Sequence, residues 1–508
     1  MGLSQQECGK RKHRLVGENI SESQVEKVFF LTECRQSLLL FLFCFTIFFL
    51  GAGGHLYLND EVTNYLMVES FLRNQSDITP ELPYARTFGV NMTRLPGMFH
   101  QGGFYSWYGL LEPLAAIPLY LLATAFGYEP WILIEILFYP IVTAMTCVLV
   151  SCCGRRLGCS DRVSVSLALI YGFASFAWPY SKFFNDGPLA TLMVLASASY
   201  AIDEKQSYAR GFLSGLFAAL ALLTKREMMF LVPAFLIYHR LRKHKSSYSL
   251  IYLAPILIGG AVYGYYNYVR FGSFLQFGLG HEQTLDAFRL PFLGMLGLLV
   301  SPGVGLIFYF PLVVLEPILF PYFYRKRSRE AVFFALIFIT TLCFYGSYRN
   351  WHGMTYWGPR YLLVSLPFLV LSLGEGLMKF YDQVLWKSMI VGLAVAGWFA
   401  NLLGVLIYFQ VGFAMLWYQF GPRAFWDISL WRFEYSPIPV HLMLLAGLSS
   451  PYQLEFQYGQ TSPGRLDLFW LSQVGLIPVL AVLVGALITL PFILSDEDRM
   501  KNLRAKIR

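Results

Sequence analysis

Apolar runs of roughly 20 residues recur along the whole chain, each closed by a short polar or basic segment. Wound as helices, runs of that length match the ~30 Å hydrocarbon thickness of a bilayer. About twelve are legible, from about 36–52 at one end to about 468–494 at the other. The pattern predicts an all-α, polytopic transmembrane helical bundle of about 12 spans. One more apolar stretch, about 109–127, lies inside a long first loop, and hydropathy alone leaves open whether it crosses.

Charge decides that point. If 109–127 stays on one side and the N-terminus is cytoplasmic, most of the 39 lysines and arginines fall on the cytoplasmic face, including the Arg240–Lys245 and Arg325–Arg329 clusters. If it crosses, everything after it inverts and most of them fall outside, against the positive-inside rule. The stretch is therefore expected to be a re-entrant or surface-lying helix on the outer side, tolerated where it packs on protein. Residues 1–35 then form a cytoplasmic N-terminal tail with no resemblance to a cleavable signal. Residues 36–411 form the main transmembrane module and contain the first outer loop, 53–129. An outer-face loop region at 412–467 precedes the last span and a basic cytoplasmic tail, 468–508. The expected location is a bacterial inner (plasma) membrane, with both termini cytoplasmic.

Composition agrees with this reading. Only 14% of the residues are charged, against about 25% in a soluble chain. None of the 8 cysteines falls in an expected outer loop, so disulfides are not expected. The net charge of +8 is spread over membrane loops rather than gathered in one groove, which argues against a nucleic-acid partner.

The candidate chemistry gathers on the expected outer face. Asp60 and Glu61 sit side by side where the first span should end. Behind them, Val62, Tyr65, Leu66, Val68 and Phe71 space out a short amphipathic helix. Such a carboxylate pair is either solvated polarity or the base of a reaction on a lipid-borne substrate. Asp186, just before Pro188, reads equally as a helix cap or as a contact to the first loop. Lys225 and Arg226 are pinned between two spans on the side where membrane orientation does not call for cations. They suit an anion, the lysine as a point charge and the arginine as a fork; a lipid headgroup or a Glu227 ion pair is the plainer alternative. Arg360 opens another span at the same level. His281 and Glu282, in a later outer loop, are either metal ligands or solvated loop residues, since no second ligand is fixed by spacing. A carboxylate base facing a cation cluster suits group transfer from a phosphorylated lipid, with the cations stabilising charge on the departing phosphate.

Five short segments carry a family resemblance: Asn59-Asp60-Glu61, Phe104-Tyr105-Ser-Trp-Tyr108-Gly, Phe184-Asn185-Asp186, Leu223-Thr224-Lys225-Arg226-Glu227 and Trp357-Gly-Pro-Arg360-Tyr361. In their order and membrane side they resemble the GT-C superfamily of polyprenyl-phosphate-dependent glycosyltransferases, which includes the protein O-mannosyltransferases and the lipid A aminoarabinose transferase. The resemblance runs along most of residues 36–378. It implies a multi-pass cell-envelope glycosyltransferase that inverts the sugar it transfers from a polyprenyl-phosphate donor to a lipid, glycan or protein acceptor. It also implies roles: Asp60 as catalytic base with Glu61 assisting, and Lys225, Arg226 and Arg360 on the donor phosphate. Asp186, Tyr105, Tyr108 and Tyr361 would brace the loop or bind substrate. Some members hold a divalent metal through a first-loop glutamate and a later histidine. His281 stands where that histidine would, but no matching glutamate is present, and no other cofactor is implied. Trp107 replaces the lysine of many relatives' Tyr-Ser-Lys-Tyr-Gly, so that phosphate contact is either lost or supplied by Arg226.

A transporter or flippase for a lipid-linked or anionic solute is the competing class. Glu135 and Glu316, inside expected spans, are its only hints. The long first loop and the lack of an internal repeat count against it.

Overall fold

The computed structural model describes residues 22–57, 59–74, 92–94, 104–204, 207–276, 288–380, 382–447 and 466–507. Seven helical stretches among them are long and apolar enough to cross a membrane: Glu33–Leu50, Pro130–Arg156, Ser246–Phe271, Ser328–Gly346, Arg360–Phe380, Val384–Leu406 and Leu476–Leu494. The chain is an integral membrane protein of all-α architecture. The remaining expected spans are carried by shorter or jointed helices.

The first helix, α1 (Glu22–Leu50), leads into α2 (Asn59–Leu72) and then a ribbon of two three-residue strands, β1 (Met92–Arg94) and β2 (Phe104–Ser106). The strands pair antiparallel with Thr93 opposite Tyr105. Next come α3 (Leu111–Ala125), which is the ambiguous apolar stretch, α4 (Pro130–Arg156), α5 (Asp161–Phe173) and α6 (Asp186–Ile202). Ser160 caps α5 by accepting the Val163 N–H. At α6 the cap is Asn185, whose side chain accepts the Gly187 N–H at 3.1 Å. Asp186 is thereby left free of the capping task that its place before Pro188 suggests.

α7 (Tyr208–Thr224) and α9 (Ser246–Phe271) approach closely, with α8 (Val232–Leu241) between them in sequence. Gly211 and Gly215 make this possible. A Cβ on Gly215 would lie 2.1 Å from the Tyr252 carbonyl oxygen. Small residues four apart let helix backbones touch where no hydrophobic force drives them together. On its other side α7 meets α6 through reciprocal bonds, Ser197 Oγ to the Ser214 carbonyl at 2.8 Å and Ser214 Oγ to the Ser197 carbonyl at 2.9 Å.

The middle of the chain holds α10 (Phe292–Val300), α11 (Leu306–Tyr309), α12 (Glu316–Lys326) and α13 (Ser328–Gly346). Then come α14 (Leu366–Ser372), α15 (Gly374–Phe380), α16 (Val384–Leu406) and α17 (Phe409–Trp431). α18 (Pro437–Leu445), α19 (Phe469–Val474) and α20 (Leu476–Ile507) complete the chain. Three helices are entered through a 3-10 turn and carry a proline in their own first turn: Arg226–Leu231 before α8, Pro311–Leu315 before α12 and Arg360–Ser365 before α14. Proline lacks the N–H that a helix's first turn leaves unused, so the helix restarts there at little cost. A hydropathy window sees one apolar run where the backbone is jointed.

The core runs through α1, α4, α5, α6, α13 and α14, with Trp357 fully buried against Tyr309 and His441. The seven described cysteines are all free.

Candidate active site

Asp60 and Glu61 occupy successive positions in the first turn of α2, about 100° apart around the helix. That rotation sends them to different places. Asp60 faces a cavity of about 780 Å3. Glu61 turns inward, fully buried, and its carboxylate accepts the Tyr57 N–H at 2.6 Å. Burial pushes the Glu61 carboxyl well above its usual range, the Tyr57 N–H works the other way, and the Asp60 and Glu112 charges add to the rise.

The cavity gathers most of the residues singled out by sequence. Asp60, Tyr108, Asp186, Lys225, Arg226, Arg360 and Tyr361 all line it. Ion pairs line it. Asp60 Oδ2 accepts from the Tyr356 hydroxyl at 2.6 Å and from Arg360 at 3.3 Å. Lys225 Nζ donates to Asp186 at 2.7 Å. Burial alone would lower the Lys225 pKa, but Asp186 and Glu227 outweigh it and raise it above the ordinary lysine value. For Arg226 the same opposition holds, with Glu227 at 3.3 Å and Tyr263 securing the charge. Burial and the Asp60 carboxylate together push the Tyr108 and Tyr356 phenols up, so both remain donors.

Arg360 is aimed by its surroundings. Its guanidinium lies 3.9 Å from the Tyr356 ring centroid and 4.9 Å from that of Tyr361, a stacking that suits a planar cation. Tyr361 is itself held by a parallel stack on Tyr345 at 4.3 Å. Gly353, at φ 74°, sits against the Arg360 stem, where a Cβ would come within 2.8 Å of Cγ.

The first loop reaches this site through a second close approach. A Cβ on Gly109 would lie 2.3 Å from the Thr224 carbonyl oxygen, and the Leu110 N–H donates to Leu223 at 3.0 Å. Tyr108 and Lys225 are thus brought together by backbone contact. Arg270, fully buried at the end of α9, grips the same strand by donating to the Ser106 carbonyl at 2.5 Å and the Tyr108 carbonyl at 3.1 Å.

Two candidates lie away from the cavity wall: Glu61, and Tyr105, which is buried edge-on to Phe271. His281 lies outside the described residues. Among the described residues no three His, Cys, Asp or Glu side chains converge as metal ligands. Sequence reasoning missed Tyr356 and Arg270. Arg270 carried a usable signal, the same one that marked Lys225 and Arg360: a cation at the end of a span opposite the basic loops.

No protein-family profile and no curated protein sequence matches the chain. Solved structures do. The oligosaccharyltransferase of Archaeoglobus fulgidus, tethered to an acceptor peptide with the NVT sequon, aligns over 84% of this chain and 61% of its own at 12% identity, with a TM-score of 0.50. This chain shares the fold of that enzyme over about three fifths of that enzyme's length. ArnT from Cupriavidus metallidurans, solved with undecaprenyl phosphate, aligns over 81% of this chain and 74% of its own at 15% identity, with a TM-score of 0.47.

Proposed function

We propose that this protein is an inverting membrane glycosyltransferase, taking a sugar from a polyprenyl-phosphate-linked donor on the outer (periplasmic or lumenal) face. The acceptor would be a lipid, glycan or protein. The observation that carries the reading is the convergence of Asp60, Lys225, Arg226 and Arg360 on one aromatic-walled cavity.

Asp60 is the base. It takes the proton of the acceptor as the acceptor atom bonds to the sugar's anomeric carbon. The bond from that carbon to the donor phosphate breaks, and the departing polyprenyl phosphate keeps the electron pair. Attack from the face opposite the phosphate inverts the anomeric centre. Lys225, Arg226 and Arg360 stabilise the charge that grows on the leaving phosphate. Arg360 and Lys225 each begin the cycle paired with a carboxylate, so the donor phosphate competes with Asp186 and Asp60 for them. Drawing Arg360 toward the phosphate would loosen its hold on Asp60 and leave that carboxylate a better base.

The transporter reading has less support. Glu135 and Glu316 do not line the cavity, and Glu316 accepts a hydrogen bond from Ser372 at 2.7 Å. The deciding experiment compares purified wild type and Asp60→Asn with a series of radiolabelled polyprenyl-phosphate sugars. Transfer by the wild type and its loss in the variant are expected. Full transfer by the variant removes Asp60 from the base position.

A further inference from the structure

The described segment just before α19, residues 466–468, forms a strap between two distant parts of the chain. The Asp467 N–H donates to the Leu406 carbonyl at 2.7 Å and the Phe469 N–H to the Ala52 carbonyl at 2.9 Å, tying the strap to the ends of α16 and α1. Asp467 itself is 1% exposed and does not line the cavity. Its side chain is fully engaged. Oδ1 meets His55 Nε2 at 2.8 Å, and Oδ2 accepts from the Tyr57 hydroxyl at 2.8 Å and Lys182 Nζ at 3.0 Å. Lys182, equally buried, also donates to the Asp467 carbonyl at 2.9 Å and the Val405 carbonyl at 2.8 Å. The fit admits no extra atom: a Cβ on Gly53 would lie 1.7 Å from the Tyr57 hydroxyl oxygen.

Tyr57 is where this network meets the site. Its ring lines the cavity, its N–H holds Glu61 at 2.6 Å, and its carbonyl accepts the Tyr408 hydroxyl at 2.7 Å. Asp60 stands between Tyr57 and Glu61 in sequence, on the same turn. A hydrophobic interior would not bury a lysine and an aspartate together without a gain elsewhere, because apolar packing is commonly as stable. What the pair fixes is geometry. Three donors from two separate parts of the chain converge on one carboxylate whose position dictates where Tyr57 sits.

We propose that Asp467 is a positioning residue: through Tyr57, His55 and Lys182 it locks the turn that presents Asp60 to the cavity. This rests on Asp60 being the base, as argued above. The test measures kcat and donor KM for Asp467→Asn, Tyr57→Phe and Asp60→Asn, with binding of undecaprenyl phosphate followed by thermal shift. Tyr57→Phe deletes the hydroxyl link alone and leaves no charge unpaired, so it reports even if Asp467→Asn fails to fold. The expected result is a 10- to 100-fold fall in kcat for Asp467→Asn and a several-fold fall for Tyr57→Phe, with donor KM and lipid binding within twofold of wild type, and partial recovery in Asp467→Glu. Wild-type kcat in Tyr57→Phe, or loss of lipid binding in step with kcat, overturns the proposal. Full activity in Asp60→Asn overturns instead the reading on which it rests, and is told apart by that variant alone.

Discussion

The molecule builds two charge clusters from the same side-chain types and uses them differently. In the cavity, the Asp60–Arg360 and Asp186–Lys225 pairs keep 12–17% of their side-chain surface exposed. Under the strap, Asp467 and Lys182 keep 1% each. The sealed cluster has its donors and acceptors matched within the protein, so it holds shape. The cavity pairs border open volume, where an incoming phosphate or hydroxyl can exchange for one partner. Removing one member should therefore cost turnover with little loss of stability in the cavity, and both turnover and stability under the strap.

The largest effect should come from Asp60→Asn. Loss of a general base predicts a fall in product formation of about 10³-fold, with the thermal midpoint unchanged in detergent; transfer assays and melts on one preparation test both halves. Lys182→Met should lower turnover less and stability more. Leaving Asp467 buried without its cation costs about 3–5 kcal/mol, read as a lowered midpoint. Lys225→Met should cost less stability than Lys182→Met, since its pair keeps 12–17% of its side-chain surface exposed, while raising donor KM.

His352 tests a third situation, a titratable ring buried beside the cavity against Trp426 at 4.0 Å. Burial, with a contribution from Arg360, lowers its pKa from 6.5 to about 4. Between those values the unfolded chain takes up a proton that the folded chain refuses. Stability should thus fall as pH drops through that window, by up to about 3 kcal/mol, and His352→Gln should flatten the slope in melts across pH 4 to 7 relative to wild type. Gly109→Ala tests the close approach of the first loop. Its Cβ meets backbone, not a movable side chain, so about 1–3 kcal/mol of strain should appear, together with weaker donor binding as Lys225 is displaced.

Spans and site differed in how far sequence revealed them. Long apolar runs announce membrane helices because bilayer thickness sets their length, and Asp60, Lys225 and Arg360 stood out as charges at helix ends. Joints in α8, α12 and α14 were hidden, since 3-10 turns and helix-starting prolines leave hydropathy unchanged. Asp186 read as a possible cap because one residue's shift, to Asn185, cannot be seen without backbone angles. Glu61 read as Asp60's companion because adjacency in sequence conceals a 100° rotation. Asp467 gave no local sign at all, being one aspartate whose partners lie 285 and more residues away.

That separation has a consequence for synthesis. Chains emerge from the ribosome N-terminus first, so the turn bearing Asp60 is made early, whereas the residue that fastens it is made 412 positions after His55. Until the strap arrives, Lys182 waits in the interior without its carboxylate. The nascent bundle should pass through a stage in which its helices are inserted but its first loop is unfastened, open to proteases and chaperones. Release from that stage would come only once Asp467 is made and packed, so a residue synthesised late arms a cavity laid out early.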